Sequence, residues 1–362
     1  MRIAFLAGRL ALLGLLAGVA AFGDEPRLNQ IQVIGSHNSY HIAPCESIMK
    51  LIALSGRGHA EALDYTNRPL PEQFSELGIR QIELDVHADP KGGRFAKPNI
   101  RVQGLLPGPD PNAEGQLNAP GFKILHIPDL DFLSTTPTLD DALTQVRSWS
   151  AKHPRHVPIL VLVELKEDSG PLTPPVPFTA ELLDALDASI REVFPPETML
   201  TPDDVRGDFA TLPEALEKRG WPTLESSRGK VLFALDNEGA IRDRYLTDHP
   251  ASRGRVMFAS VDRADPSAAW MKVNDPVRDF ERIRSLVRAG FLVRTRADAD
   301  TRQARRNDTT QRDKALASGA QFISTDYPEP RIDLSPYCVR LPGGAVVRVN
   351  PVSGQESQHI AE

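Results

Sequence analysis

The chain has 362 residues, 41% of them apolar and 25% charged, with a formal net charge of −6. That length accommodates one large core or two ordinary ones, and the proportions are those of a folded globular protein. The acidic balance excludes the basic footprint of a nucleic-acid binder, and the pair Arg305-Arg306 reads as a solvated helix face.

At the N-terminus, Arg2 and Arg9 accompany an apolar run over residues 10–22. It is too short to span a bilayer but suits the core of a secretory leader. Small residues around Gly23 stand at cleavage spacing, so the reading is a signal peptide over 1–23 and a mature chain over 24–362, secreted or periplasmic. An uncleaved anchor is the alternative. No other stretch is long and apolar enough to cross a membrane.

The first strand is predicted over 31–35, and its tip carries Ser36-His37-Asn38-Ser39-Tyr40. A long polar loop follows to residue 68, then a short helix over 69–78 with prolines in its first turn and glycine as its stop. The second strand, 80–87, alternates so that Glu83, Asp85 and His87 share one face while Ile82, Leu84 and Val86 share the other. Residues 88–121 are rich in proline and glycine and read as a surface excursion. A third strand is predicted over 122–126, ending in His126, then a capped helix over 134–149. Residues 158–164 form an almost continuous apolar run ending in Glu164, the pattern of a parallel strand covered on both faces. Helices over 180–194 and 202–219 precede strands over 230–236 and 255–260. A helix over 275–290, a strand over 291–296, a helix over 301–317 and a last strand over 321–327 complete the pattern.

Eight strands, mostly alternating with helices and lacking a glycine-rich dinucleotide loop after the first, predict a single-domain α/β fold, an irregular (β/α)8 TIM barrel. In a closed barrel the first and last strands are neighbours. The loop carrying Cys45 and the tail carrying Cys338 can then meet at one rim, and in an oxidising compartment they are a candidate disulfide.

Chemistry in such barrels gathers where strands end. Glu83, Asp85 and Glu164 with the amide oxygen of Asn38 form a hard, oxygen-only set that suits Ca²⁺, less so Mg²⁺, and suits Zn²⁺ poorly. His37 and His126 can divide proton transfer and charge stabilisation on one phosphate, with His87 a third participant or a hydrogen-bond partner. His41 and the remaining histidines read as surface residues.

In this ordered combination, Ser36-His37-Asn38-Ser39-Tyr40, Glu83-Leu84-Asp85, His126 and Val163-Glu164 resemble the active-site strands of Ca²⁺-dependent phosphatidylinositol-specific phospholipases C of the compact bacterial type. The resemblance continues into Arg294-Thr295-Arg296-Ala297-Asp298 and Ser324-Thr325-Asp326-Tyr327 and covers nearly the whole mature chain. It implies Ca²⁺ held by Asn38, Glu83, Asp85 and Glu164, and attack of the inositol 2-hydroxyl on phosphorus. The proton passes to Glu83 or Glu164, while His37 stabilises the phosphorane and His126 protonates the departing diacylglycerol oxygen. Lys166, Arg294 and Arg296 are the phosphate or ring contacts, and His87 is the alternative acid. The partners implied are phosphatidylinositol and, transiently, a membrane surface, with the enzyme a monomer.

The lysines with which eukaryotic members grip ring phosphates near the fifth strand are replaced by Leu235-Asp236-Asn237, which favours the unphosphorylated lipid. A glycerophosphodiester phosphodiesterase is the first alternative, although that family places arginine where Asn38 stands. A catalytically silent barrel binding a polyol headgroup is the second.

Overall fold

The longest strand, β2 (Gln81–Asp89), sets the plan of the molecule by its alternation. Ile82, Leu84 and Val86 enter the main hydrophobic core, while Gln81, Glu83, Asp85 and His87 point the other way, as a period of two requires. The structure is a computed structural model describing residues 25–99, 108–167, 172–355 and 360–362, so the expected leader over 1–23 lies outside the described residues.

Eight parallel strands make the ring: β1 (Ile31–Ser36), β2, β4 (Ile159–Leu165), β5 (Val231–Leu235), β6 (Met257–Ala259), β7 (Trp270–Lys272), β8 (Leu292–Arg296) and β9 (Phe322–Thr325). Their order is β6-β5-β4-β2-β1-β9-β8-β7, and a parallel bridge between Ser260 and Trp270 spans the remaining gap. Two strands stand off the ring. β3 (Gly121–Ile124) pairs antiparallel with β2, and β10 (Val347–Val349) pairs antiparallel with β1.

Between β1 and β2 the chain forms α1 (Glu46–Ala53), α2 (Arg57–Ala62) and α3 (Leu70–Glu76). Helices α4 (Leu139–Lys152) and α5 (Ala180–Val193) cover the outer face of β4 and its neighbours, burying Leu143, Val146, Leu186 and Ile190. Each starts at a threonine whose hydroxyl accepts a backbone N–H, Thr138 from Asp141 and Thr179 from Leu182. Three short helices, α6 (Pro202–Arg206), α7 (Leu212–Lys218) and α8 (Leu224–Ser227), lead into β5, and α9 (Ala240–Leu246) follows it. The last are α10 (Phe280–Arg288), α11 (Arg302–Arg306) and α12 (Thr310–Ser318).

The ring is filled from below. Val33, Leu160, Leu162, Leu232, Ala234, Phe258, Trp270, Leu292 and Phe322 form one buried cluster. Stepping by twos along the same strands toward their C-terminal ends gives His37, Glu164, Asp236, Lys272, Arg294 and Asp326. An apolar plug therefore supports a polar mouth. At the junction of β1 and β2, Gly35 lies opposite Gln81, and a Cβ there would fall 2.1 Å from Gln81 Oε1, so only glycine fits.

Several expectations are corrected. The strand expected to end at His126 is an arm on β2, and its place in the ring count is taken by β7, a three-residue strand too short to show a period. The loop after β1 contains α1 and α2. The helix expected over 301–317 is two, separated at Asn307, whose φ of 50° is left-handed. The helix expected from residue 275 starts at Phe280 because Asp275 and Asp279 build a turn. No disulfide joins Cys45 and Cys338. Cys45 stands at the head of α1 with its Sγ 3.2 Å from Ser47 Oγ, whereas the Cys338 carbonyl accepts from Arg312 Nη1 on α12. Among the described residues no helix is long and apolar enough to cross a membrane.

Candidate active site

The pairing of β2 with β4 puts Asp85 directly opposite Glu164. Glu83, Asp85 and Glu164 each offer a carboxylate oxygen, all within 4.8 Å of one another. Asn38 follows β1 with a φ of 40°, a conformation asparagine tolerates better than most residues, and its Oδ1 is buried without a hydrogen-bond partner. Lys166 Nζ lies 3.3 Å from Asp85 and 3.2 Å from Glu164. Arg294 donates to Glu83 at 2.5 Å, to Ser324 Oγ at 3.0 Å and to Asn274 Oδ1 at 2.6 Å.

These charges are costly to bury. Burial pushes the Glu83 carboxyl up to about 8 against the pull of Arg294, and burial with the neighbouring Glu164 pushes Asp85 up to about 8 against the pull of Lys166. The three clustered carboxylates, with the orphaned amide oxygen of Asn38 at the tip of the neighbouring strand and oxygen as the only donor type, fit a hard divalent cation such as Ca²⁺.

Two imidazoles stand at the same mouth, each tied to a carboxylate. His37 Nδ1 donates to Asp326 Oδ1 at 2.7 Å, and its Nε2 lies 3.6 Å from Glu83 and 3.2 Å from Arg296 Nη1. Burial, then the charges of Arg296 and Arg294, hold His37 well below its ordinary value. Arg296 is anchored by its Nε on the Asp298 carbonyl at 3.0 Å. The buried Asp298 carboxyl accepts from Thr325 Oγ1, from the Asp326 N–H at 2.8 Å and from Tyr337 OH at 3.1 Å.

His126 reaches the mouth on the β3 arm and contacts Asp131 Oδ2 through Nδ1 at 2.7 Å. The intervening turn is closed by two backbone bonds between Ile127 and Asp131, with Asp129 left-handed at φ 74°. His87 lies below the arm. Its Nε2 is 3.0 Å from the Leu125 carbonyl and its ring meets Phe95 edge-on, which staples the strand leading to His126. Burial, then the charge of Lys166, lowers His87 to about 3.

The structure thus brings together Asn38, Glu83, Asp85, Glu164, Lys166, Arg294, Arg296 and His37, and delivers His126 from outside the ring. Sequence reasoning missed Asp326, Asp131 and the pair Asp236 and Lys272, whose charged groups meet at 2.8 Å. Asp326 was within reach, since it shares the inward parity of Ser324. Asp131 lies in a turn with no periodic signal. His41, expected at the surface, is fully buried.

The sequence profile described as phosphoinositide phospholipase C, Ca²⁺-dependent, matches residues 26–351. The chain belongs to that family. Among solved structures it is similar to the Ca²⁺-dependent phosphoinositol-specific phospholipase C of a Pseudomonas species, with a TM-score of 0.53 at 16% identity over 90% of this chain and 95% of the other. A myoinositol complex of the Pseudomonas enzyme gives a TM-score of 0.52 at 16% identity, over 90% and 96%. The Ca²⁺-dependent phosphatidylinositol-specific enzyme of Streptomyces antibioticus is 18% identical, with a TM-score of 0.48 over 84% and 95%. Comparison with curated protein sequences gives no match.

Proposed function

We propose that this chain cleaves phosphatidylinositol to diacylglycerol and inositol cyclic 1,2-phosphate. The observation that carries the reading is the pair of carboxylate-held imidazoles, His37 on Asp326 and His126 on Asp131, at the mouth that also holds the oxygen-only cradle. Asn38, Glu83, Asp85 and Glu164 would hold Ca²⁺, which when bound screens the phosphate and lowers the pKa of the attacking hydroxyl.

The inositol 2-hydroxyl oxygen forms the new bond to phosphorus, and the bond from phosphorus to the glycerol oxygen breaks. The hydroxyl proton leaves to Glu83 or Glu164, and His126 Nε2 delivers a proton to the departing oxygen. Arg296 and His37 face the charge that develops on the phosphoryl oxygens, while Arg294 and Lys166 hold the acidic residues in place and offer further contacts to phosphate or ring.

One observation favours a second assignment of the base. His37 Nδ1–H is committed to Asp326 and Arg296 Nη1 stands 3.2 Å from Nε2, so Nε2 presents a lone pair that can take the hydroxyl proton once the guanidinium turns to the phosphate. The two assignments differ in the pH–rate profile of His37→Ala. Loss of the acidic limb of kcat/KM selects His37; its survival selects a carboxylate.

The test of the function is ³¹P NMR of phosphatidylinositol turnover. A cyclic phosphate signal that chelation abolishes and Ca²⁺ restores is the expected outcome. Faster cleavage of glycerophosphocholine would replace the reading with the glycerophosphodiesterase, and Ca²⁺ binding without turnover would leave a silent barrel. We further propose an exported monomer that touches the bilayer with the loop after β1, where Leu54 is 84% exposed. Vesicle sedimentation of Leu54→Glu, expected to weaken, and ultracentrifugation of the mature chain check these two points.

A further inference from the structure

Asp131 is shared by two histidines. Its Oδ2 meets His126 Nδ1 at 2.7 Å and His41 Nε2 at 2.8 Å, and His41 Nε2 also lies 2.9 Å from Oδ1. The other nitrogen of His41, Nδ1, faces the Tyr65 carbonyl at 3.0 Å. A carbonyl and a carboxylate only accept, so this ring satisfies both neighbours by donating from both nitrogens. It is fully buried and stacked on Tyr65 with ring centroids 4.3 Å apart, and it meets His126 edge-on at 6.0 Å. Asp131 is likewise fully buried, so no solvent competes for its oxygens.

We propose that His41 is a positioning residue for the leaving-group step: clamped between Tyr65 and Asp131, it fixes the carboxylate that aims His126. The inference rests on the reading of His126 as the proton donor to the departing oxygen. A carboxylate on a five-residue turn can swing away from one partner. Two contacts from a ring locked at its far end remove that freedom, leaving Oδ2 directed at His126 Nδ1 and His126 Nε2 directed at the substrate. Burial argues against the Asp131 charge, but His41 and His126 more than offset it and hold the carboxyl below its usual range, which keeps it an acceptor.

The experiment compares phosphatidylinositol with an inositol phosphate ester of p-nitrophenol, whose leaving group departs without a proton. His41→Asn keeps a group near Tyr65 and gives up Asp131, whereas His41→Gln keeps a donor near Asp131. With phosphatidylinositol, His41→Asn is expected to lower kcat by ~10- to 100-fold with KM little changed, and His41→Gln to recover part of it. With the nitrophenyl ester both variants are expected within about threefold of wild type, as is His126→Ala, since the acid is no longer needed. Equal loss on both esters, a fully active His41→Asn, or a His41→Gln no better than His41→Asn would overturn the inference. A His126→Ala equally impaired on both esters would instead remove the acid role on which it rests. Should the variants fail to fold, ¹⁵N NMR of the wild-type ring decides, because a proton on only one His41 nitrogen overturns the clamp.

Discussion

Asp326 and Asp131 do similar work from opposite origins. The first continues the inward face of β9, and the second sits on a turn that folds back on His126. Parity along a strand is readable in a sequence, which is why Glu83 and Asp85 could be found there, while Glu164 shows as the acid that ends an apolar run and Arg294 and Arg296 entered through the family resemblance. A turn that returns a carboxylate to a histidine five residues earlier has no period and left Asp131 and His41 unread. The buried carboxyls also fix how the protein responds to pH. Glu83 and Asp85 are raised to about 8 and Asp298 to about 7, in each case with burial the largest cause, while His37 and His87 are lowered from the ordinary 6.5. The lowered histidines add stability as pH rises to about 6.5 and then nothing more. Between about 6.5 and 8 the folded, metal-free protein holds more carboxyl protons than the unfolded chain, so its stability falls as pH rises. Thermal melts in EGTA should show Tm decreasing across that window and Ca²⁺ flattening the decrease. A metal-free Tm that climbs between pH 6.5 and 8 would show that these carboxylates ionise freely.

The elements were legible in proportion to their length and covering. β2 is a long strand whose alternation names its faces, β4 shows as a continuous apolar run, and α4 announces itself by a capping hydroxyl. β7 is three residues between turn-forming segments, and the β3 arm has the composition of a ring strand while pairing in the opposite sense. Nothing in residues 122–126 records which neighbour they meet. The caps make a testable difference. Thr138→Ala removes the acceptor for the Asp141 N–H, 3.2 Å away, at the start of the helix packed behind β4. A loss of about 1 kcal/mol in urea unfolding is expected, with turnover unchanged. A loss near zero would mean that packing alone holds the end of α4.

Viewed whole, the lower end of the sheet is clasped on its helix side by a buried charge that sits over the Trp149 ring. Arg80 is only 3% exposed, donates to the carbonyls of Phe74 and Ile79, and pairs with Glu362, which also accepts the Val157 N–H at 3.1 Å. Glu362→Ala strands that guanidinium and is expected to cost about 3–5 kcal/mol. Unfolding midpoints unchanged from wild type would show that Arg80 finds water instead. The closed ring itself was legible from the alternation of strands and helices, whereas this long-range clasp joins residues whose pairing no local pattern encodes.

β2 carries Glu83 and Asp85 in its middle, and its final residues hold the arm through a ladder from Val86 with Ile124 to Asp89 with Gly121. The segment that leaves and returns between those rungs also steadies the arm, since Phe95 meets His87 edge-on and the Asn99 N–H donates to Asp129 Oδ1 at 2.6 Å. Descendants of this chain that keep those two contacts could lengthen or trim the rest of that segment and reshape what the enzyme meets at the surface. A single insertion inside β2 would instead turn its acids outward and silence it.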